Sequence, residues 1–164
     1  MKINGIDSAK QQISQHVAVC INQASSYFSR VFPMPDINFK QRGKIAASAQ
    51  LQKNTLRFNP VLMMDNLPRF LNEVVAHEVS HLLAFQLYGR VRPHGKEWQA
   101  LMLEVFGVNP KTYHNMDVSK VVGRQLPYLC ACGVVHLSIR RHNKVVRKIQ
   151  RYRCLKCGEI LQAA

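Results

Sequence analysis

Ile13, Val17, Cys20 or Ile21, Ala24 and Phe28 recur every three to four positions, the spacing that draws one apolar stripe along an α-helix. Ser8, with Gln11 three residues later, reads as a capping box opening this helix, and Pro33 and Pro35 bound its far end. The pattern then breaks into short, partly alternating runs, INFKQR, KIAASAQL after Gly43, and TLRFN, which predict a small antiparallel sheet. Helical chemistry returns at Asn59-Pro60 and again at Asn66 and Pro68, leading into RFLNEVVAHEVSHLLAFQLYG. Apolar residues fill most of that segment, so it predicts a buried helix stopped by Gly89. After the loop RVRPHG, Trp98, Leu101, Met102 and Val105 form the stripe of another helix, closed by Gly107. From Leu126 onward the pattern predicts paired strands: YLCACG, VVHLSIRR, a turn near His142 and Asn143, VVRKIQRYRC and LKCGEIL. The change of pattern divides the chain into two expected domains, residues 1–122 and 123–164.

With 164 residues and 47% hydrophobic content, the chain can bury one sizeable core and a small satellite. It carries no apolar run of about 18 residues, and MKINGIDSAKQQ lacks the apolar stretch and cleavage site of a signal peptide. The expectation is a cytoplasmic protein, nucleoid-associated if it binds DNA, with no membrane partner. A reducing compartment and an odd count of five cysteines argue against a disulfide framework. Cys20, alone among Val17, Val19 and Ile21, reads as a small buried hydrophobe.

The formal net charge is +14, and it is uneven: residues 120–164 hold ten Lys plus Arg against the single acid Glu159. Clustering of this kind points to a polyanionic partner, nucleic acid above all, although a basic surface also serves solubility. Arg140, Arg141, Lys144, Arg147, Lys148, Arg151 and Arg153 lie on the predicted hairpin and could track phosphates, with Tyr128 and Tyr152 near enough to stack unpaired bases.

His77 and His81 are four apart, so on a helix both imidazoles leave one face and can reach one Zn²⁺. Glu78 then lies beside the metal, where a carboxylate can take a proton from the attacking water and deliver it to the leaving amine. Burying three such groups among Val74, Val75, Val79, Leu82 and Leu83 without partners would be costly, which favours metal over an idle polar cluster. A catalytic zinc needs a third protein ligand. His94 is the first choice, with Glu97 and Glu104 as competitors. Ala84 and Leu87 stand where the extended His-Glu-x-x-His-x-x-Gly-x-x-His pattern has its Gly and third His, which excludes that arrangement.

Cys154-x-x-Cys157-Gly is a strong zinc-knuckle signal, and Cys130-x-Cys132-Gly is its candidate partner one residue shorter. Together they would make a closed structural site in a module too small to fold on its core alone, with His136 or His142 as substitutes should one of the CxC thiols not bind.

HEVSHLL followed by HGKEW, then CACG, RRHN and YRCLKCGE, closely resembles the SprT family of bacterial metalloprotease-like proteins, relatives of the Spartan proteases that degrade proteins crosslinked to DNA. The resemblance spans nearly the whole chain. It implies that His77, His81 and His94 hold a catalytic zinc and that Glu78 is the catalytic group. The expected fold class is therefore α+β, a zincin-like metalloprotease domain of long helices and a small antiparallel sheet followed by a zinc-ribbon-like β module. The expected function is a zinc endopeptidase, monomeric, acting on proteins bound to nucleic acid. The alternative is a nucleic-acid-binding zinc protein that keeps the zincin fold with little or no turnover.

Overall fold

A computed structural model describes residues 5–112 and 115–164. It resolves into two compact units, Met1–Val121 and Val122–Ala164.

In the first unit, α1 (Gly5–Tyr27) buries Ile13, Val17, Cys20, Ile21 and Ala24 along one face, as the stripe requires. The helix starts before Ser8, so Ser8 is no cap; its hydroxyl accepts from the Gln12 side chain inside the first turns. Burial raises the Cys20 thiol to about 12, which keeps it an inert packing group.

The strands β1 (Asp36–Asn38), β2 (Ala47–Gln50) and β3 (Thr55–Phe58) form a sheet in the order β1-β3-β2. β2 runs antiparallel to β3, but β1 runs parallel to it, which corrects the expectation of a wholly antiparallel sheet. The eight residues between β1 and β2 double back across the sheet, so β3 becomes the central strand and β2 keeps one edge free.

Asn59 caps α2 (Pro60–Asp65): its side-chain oxygen accepts from the Val61 and Leu62 amides, while its Nδ2 donates to the Gly43 and Ile45 carbonyls. One fully buried side chain thus satisfies the helix start and the turn into β2. Asn59→Ala would orphan both sets of partners, and we expect a loss of about 2–4 kcal/mol in the unfolding of this unit, read by urea titration. A loss under about 0.5 kcal/mol would show that water replaces the cap at no cost.

Asn66 turns its side chain back to the Leu62 carbonyl, and the chain enters α3 (Leu67–Arg69), a π-helical turn over Phe70–Val74, and α4 (Val75–Tyr88) without a break. α4 is buried on most sides and ends at Gly89, whose φ of 72° only glycine adopts without cost. α5 (Lys96–Ala100) continues through a π-helical turn, Leu101–Val105, and buries Trp98, Leu101, Met102 and Val105. Among the described residues no helix is long and apolar enough to cross a membrane.

The second unit is a sheet of β4 (Gln125–Cys130), β5 (Gly133–Ser138) and β6 (Gln162–Ala163) in the order β5-β4-β6, with its buried set limited to Tyr128, Leu137, Cys154 and Leu161. The expected second hairpin is not formed. Residues Ile139–Val146 make a helix, α6, opened by Ser138, whose hydroxyl accepts from the Arg141 amide. Arg140, Arg141 and Lys144 therefore ride on a helix rather than on strands. Arg147 follows its last turn, Lys148 takes a left-handed conformation, Arg151 is exposed and Arg153 makes an isolated bridge to Ile160.

Candidate metal centre and its cleft

α4 presents His77 and His81 one turn apart on one face, and the loop between α4 and α5 carries His94 back to them. His94 itself has a φ of 56°, in the left-handed region that histidine tolerates better than most residues. Behind it Gly95 donates its amide to the Arg92 carbonyl, and a Cβ there would sit 2.9 Å from that oxygen. Glycine lets the loop close tightly enough to aim His94 inward.

The three Nε2 atoms stand 3.2 Å (His77 to His81), 3.1 Å (His81 to His94) and 3.1 Å (His77 to His94) apart. These contacts cannot all be hydrogen bonds, because a neutral ring nitrogen either bears the proton or offers the lone pair. A cation shared by three lone pairs satisfies all of them. Four ligands at the zinc–nitrogen distance of 2.0–2.1 Å make a tetrahedron with edges of about 3.3–3.4 Å, close to the triangle found. Burial pushes His81 down to about 4, with the charge of His94 adding to the effect, and burial lowers His94 as well. Both rings are thus neutral near pH 7 and free to donate lone pairs.

Trp98 lies beneath this triad, its ring 4.7 Å from His77, 5.6 Å from His81 and 4.7 Å from His94, nearly parallel to the His81 ring. Its indole N–H donates to the His77 carbonyl, joining α5 to α4. The side chain of Gln99 donates to the His94 carbonyl and so fixes the other end of the loop. The residue pattern alone marks Trp98 as core; its role as a floor for three imidazoles depends on the packing of α5 across α4.

Glu78 faces β2. Burial raises its carboxyl to about 8, and a hydrogen bond from the Ala49 amide partly offsets that rise. A carboxyl held near neutrality is matched to taking and giving protons at ordinary pH. Glu97 and Glu104 stand apart from the triad: Glu104 accepts from the Tyr27 hydroxyl, and Glu97 packs its carboxylate beside Gly95.

The triad and Glu78 open into a cleft of about 610 Å³ whose opposite wall includes Lys44 to Ala49, Met116 and Val118. The Asn59 amide donates to the Ala46 carbonyl, so by antiparallel alternation Ser48 and Gln50 bond to β3 while the amides and carbonyls of Ala47 and Ala49 point to the free side.

The second candidate centre gathers Cys130, Cys132, Cys154 and Cys157, whose sulfurs lie within 4.8 Å of one another. Cys130 and Cys132 are 3.3 Å apart and Cys132 and Cys154 are 3.5 Å apart. The thiols cannot all share protons equally. Amides of Cys157 and Lys156 hold Cys154 down to about 6, whereas the neighbouring Cys130, Cys154 and Cys157 thiols push Cys132 up to about 12. A dication among them removes the conflict by taking all four as thiolates. His142 is instead paired through Nδ1 with the Tyr128 hydroxyl, and His136 lies apart from the cluster. Glu159 accepts from the Ala131 amide and ties the two knuckles together.

Residues 17–114 match the SprT-like family. The chain belongs to that family. Protein SprT of Shewanella oneidensis is 51% identical over 155 residues, covering 94% of this chain and 99% of that protein. Protein SprT of Vibrio parahaemolyticus is 51% identical over 142 residues, 87% of this chain and 86% of its own length, and that of Klebsiella pneumoniae is 41% identical over 168 residues, 99% of each. No solved structure matches the chain. The SprT-like match includes α4, His94 and Trp98 but ends before the cysteine cluster, whereas the likeness to the Klebsiella protein, over 99% of this chain, extends across it.

Proposed function

We propose that the chain is a zinc-dependent metallo-endopeptidase that acts on proteins bound to nucleic acid. The observation that carries this reading is the convergence of three imidazole nitrogens beside a buried, proton-competent Glu78 at the base of a cleft with a free strand edge. His77, His81 and His94 would hold the zinc, a donor set that leaves one position open for substrate or water. Bound zinc supplies Lewis-acid chemistry, polarising a carbonyl and acidifying water. Glu78 accepts the proton of the attacking water at its carboxylate and returns it to the leaving amine nitrogen. The outward amide and carbonyl of Ala47 and the outward carbonyl of Ala49 offer an extended peptide the bonds of a neighbouring strand, which would lay its scissile bond along the cleft, while the Ala49 amide stays on Glu78. Trp98 and Gln99 hold the ligand loop in place. The exposed basic residues Arg140, Arg147, Lys148 and Arg151 supply phosphate contacts.

The test is degradation of casein and of a DNA-binding protein by wild type and Glu78→Gln, with and without DNA. The amide keeps the shape and loses the base, so we expect a fall of about 10²–10⁴-fold in rate with zinc content unchanged. Equal rates in the two proteins would remove the peptidase reading.

A further inference from the structure

The second unit carries a groove of about 390 Å³ that the proposed chemistry does not use. One wall is β5, an edge strand, and the other is the segment around Cys154 and Leu155. Ala131 and Cys132 link Cys130 to Gly133 as a two-residue hairpin, in which the closing pair bonds to itself. Alternation then directs Gly133, Val135 and Leu137 to β4, and Val134 and His136 outward. The far side of β4 agrees with this assignment, since the Pro127 carbonyl, opposite His136, accepts from Ala164 of the third strand's end. Among the described residues the backbone groups of Val134 and His136 make no hydrogen bond outside the sheet.

The groove therefore offers two amides and two carbonyls at strand spacing. Val134 and Leu155 add exposed apolar surface, and Arg141, Arg153 and Lys156 line the groove with no acid among its walls. From this combination we infer that β5 is a docking edge for an extended, acidic and apolar segment of a partner protein, which adds to the sheet as a fourth strand. Outward backbone groups confer affinity, and the three cations select the partner's charge. Nucleic acid shares the charge but not the rest: it has no strand of amides to pair with Val134 and His136. The Tyr152 ring is also occupied by the Arg141 guanidinium, 5.5 Å from its centroid, instead of standing free for a base. This inference is independent of the peptidase reading, since it involves none of the residues around Glu78.

The experiment is fluorescence anisotropy on the full-length, zinc-loaded chain with a labelled peptide of alternating Asp and Val. We expect saturable binding that weakens by about tenfold or more when alternate peptide amides are N-methylated, because a methylated amide cannot pair with a strand. A Lys and Val peptide should bind correspondingly less. Val134→Pro should give the same loss with zinc content unchanged, since the amide it removes points away from β4. If that variant fails to fold, the N-methylated peptide on wild type decides alone. No binding, or equal binding of the N-methylated peptide, overturns the proposal. So does displacement of the peptide by oligothymidylate whose own binding is lost in Arg141→Glu and untouched in Val134→Pro, which would assign the groove to nucleic acid.

Discussion

Cys154→Ser is expected to unfold residues 122–164 while residues 5–112 keep their structure. The second unit buries only Tyr128, Leu137, Cys154 and Leu161 as its centre, and a core of that size does not balance the chain entropy of the segment. The missing stability must come from the four sulfurs gathered within 4.8 Å. Structural zinc in small modules supplies about 10–16 kcal/mol of apparent binding energy, and that energy is folding energy. Cys154 is the buried member of the four and the one whose thiol its neighbours hold lowest, at about 6, so it is the first to become a thiolate. Serine offers a hydroxyl that stays protonated at neutral pH and leaves the other three thiols around a weakened site. The measurement is zinc stoichiometry together with amide dispersion and protease protection across residues 122–164. Wild type should hold two zinc ions and the variant one, with new cleavage confined to the second unit. Two ions and unchanged dispersion in the variant would show that the cysteine cluster is not what holds this unit together.

The parts of the molecule legible in the sequence are those fixed by local spacing. His77 and His81 meet because four residues make about one helical turn, and the apolar run around them requires burial whatever packs against it. Asn59-Pro60 marks a helix start through its own hydrogen bonds. What spacing does not carry is pairing between distant segments. β1, β2 and β3 have three or four residues each, too few for alternation to reveal direction, and the parallel pairing of β1 with β3 follows from how the chain crosses the sheet. The Ala49 amide on Glu78 and the Trp98 floor beneath the triad have the same origin, since each needs one element laid across another. α6 is a different case. Its valines and arginines suit a strand as well as a helix, and Ser138 at its cap is the one local sign that favours the helix.

His94→Ala is expected to strip the metal from the first unit, whereas Glu104→Ala is expected to leave it bound. His94 reaches within 3.1 Å of both other ring nitrogens, while Glu104 is engaged with the Tyr27 hydroxyl. Removing a ligand takes away both the Lewis acid and the water that Glu78 would deprotonate, so activity should fall further than in Glu78→Gln. Even changes beyond the ligands cost metal sites about 10–100-fold in affinity, and loss of one of three direct donors should exceed that. Trp98 provides the reading. It is the chain's only tryptophan, and its ring lies 4.7 to 5.6 Å from the three imidazoles. Titrating the metal-free protein with Co²⁺, which occupies zinc sites and quenches nearby indoles, should therefore quench its fluorescence in wild type and in Glu104→Ala with similar midpoints. His94→Ala should need at least about 10²-fold more Co²⁺ to reach the same quenching. Because the cysteine cluster also takes Co²⁺, its thiolate charge-transfer absorption should rise equally in all three proteins, which separates the two centres in one titration. Quenching in His94→Ala at the wild-type midpoint, or its loss in Glu104→Ala, would move the third ligand to a glutamate and detach the loop at Gly95 from the metal.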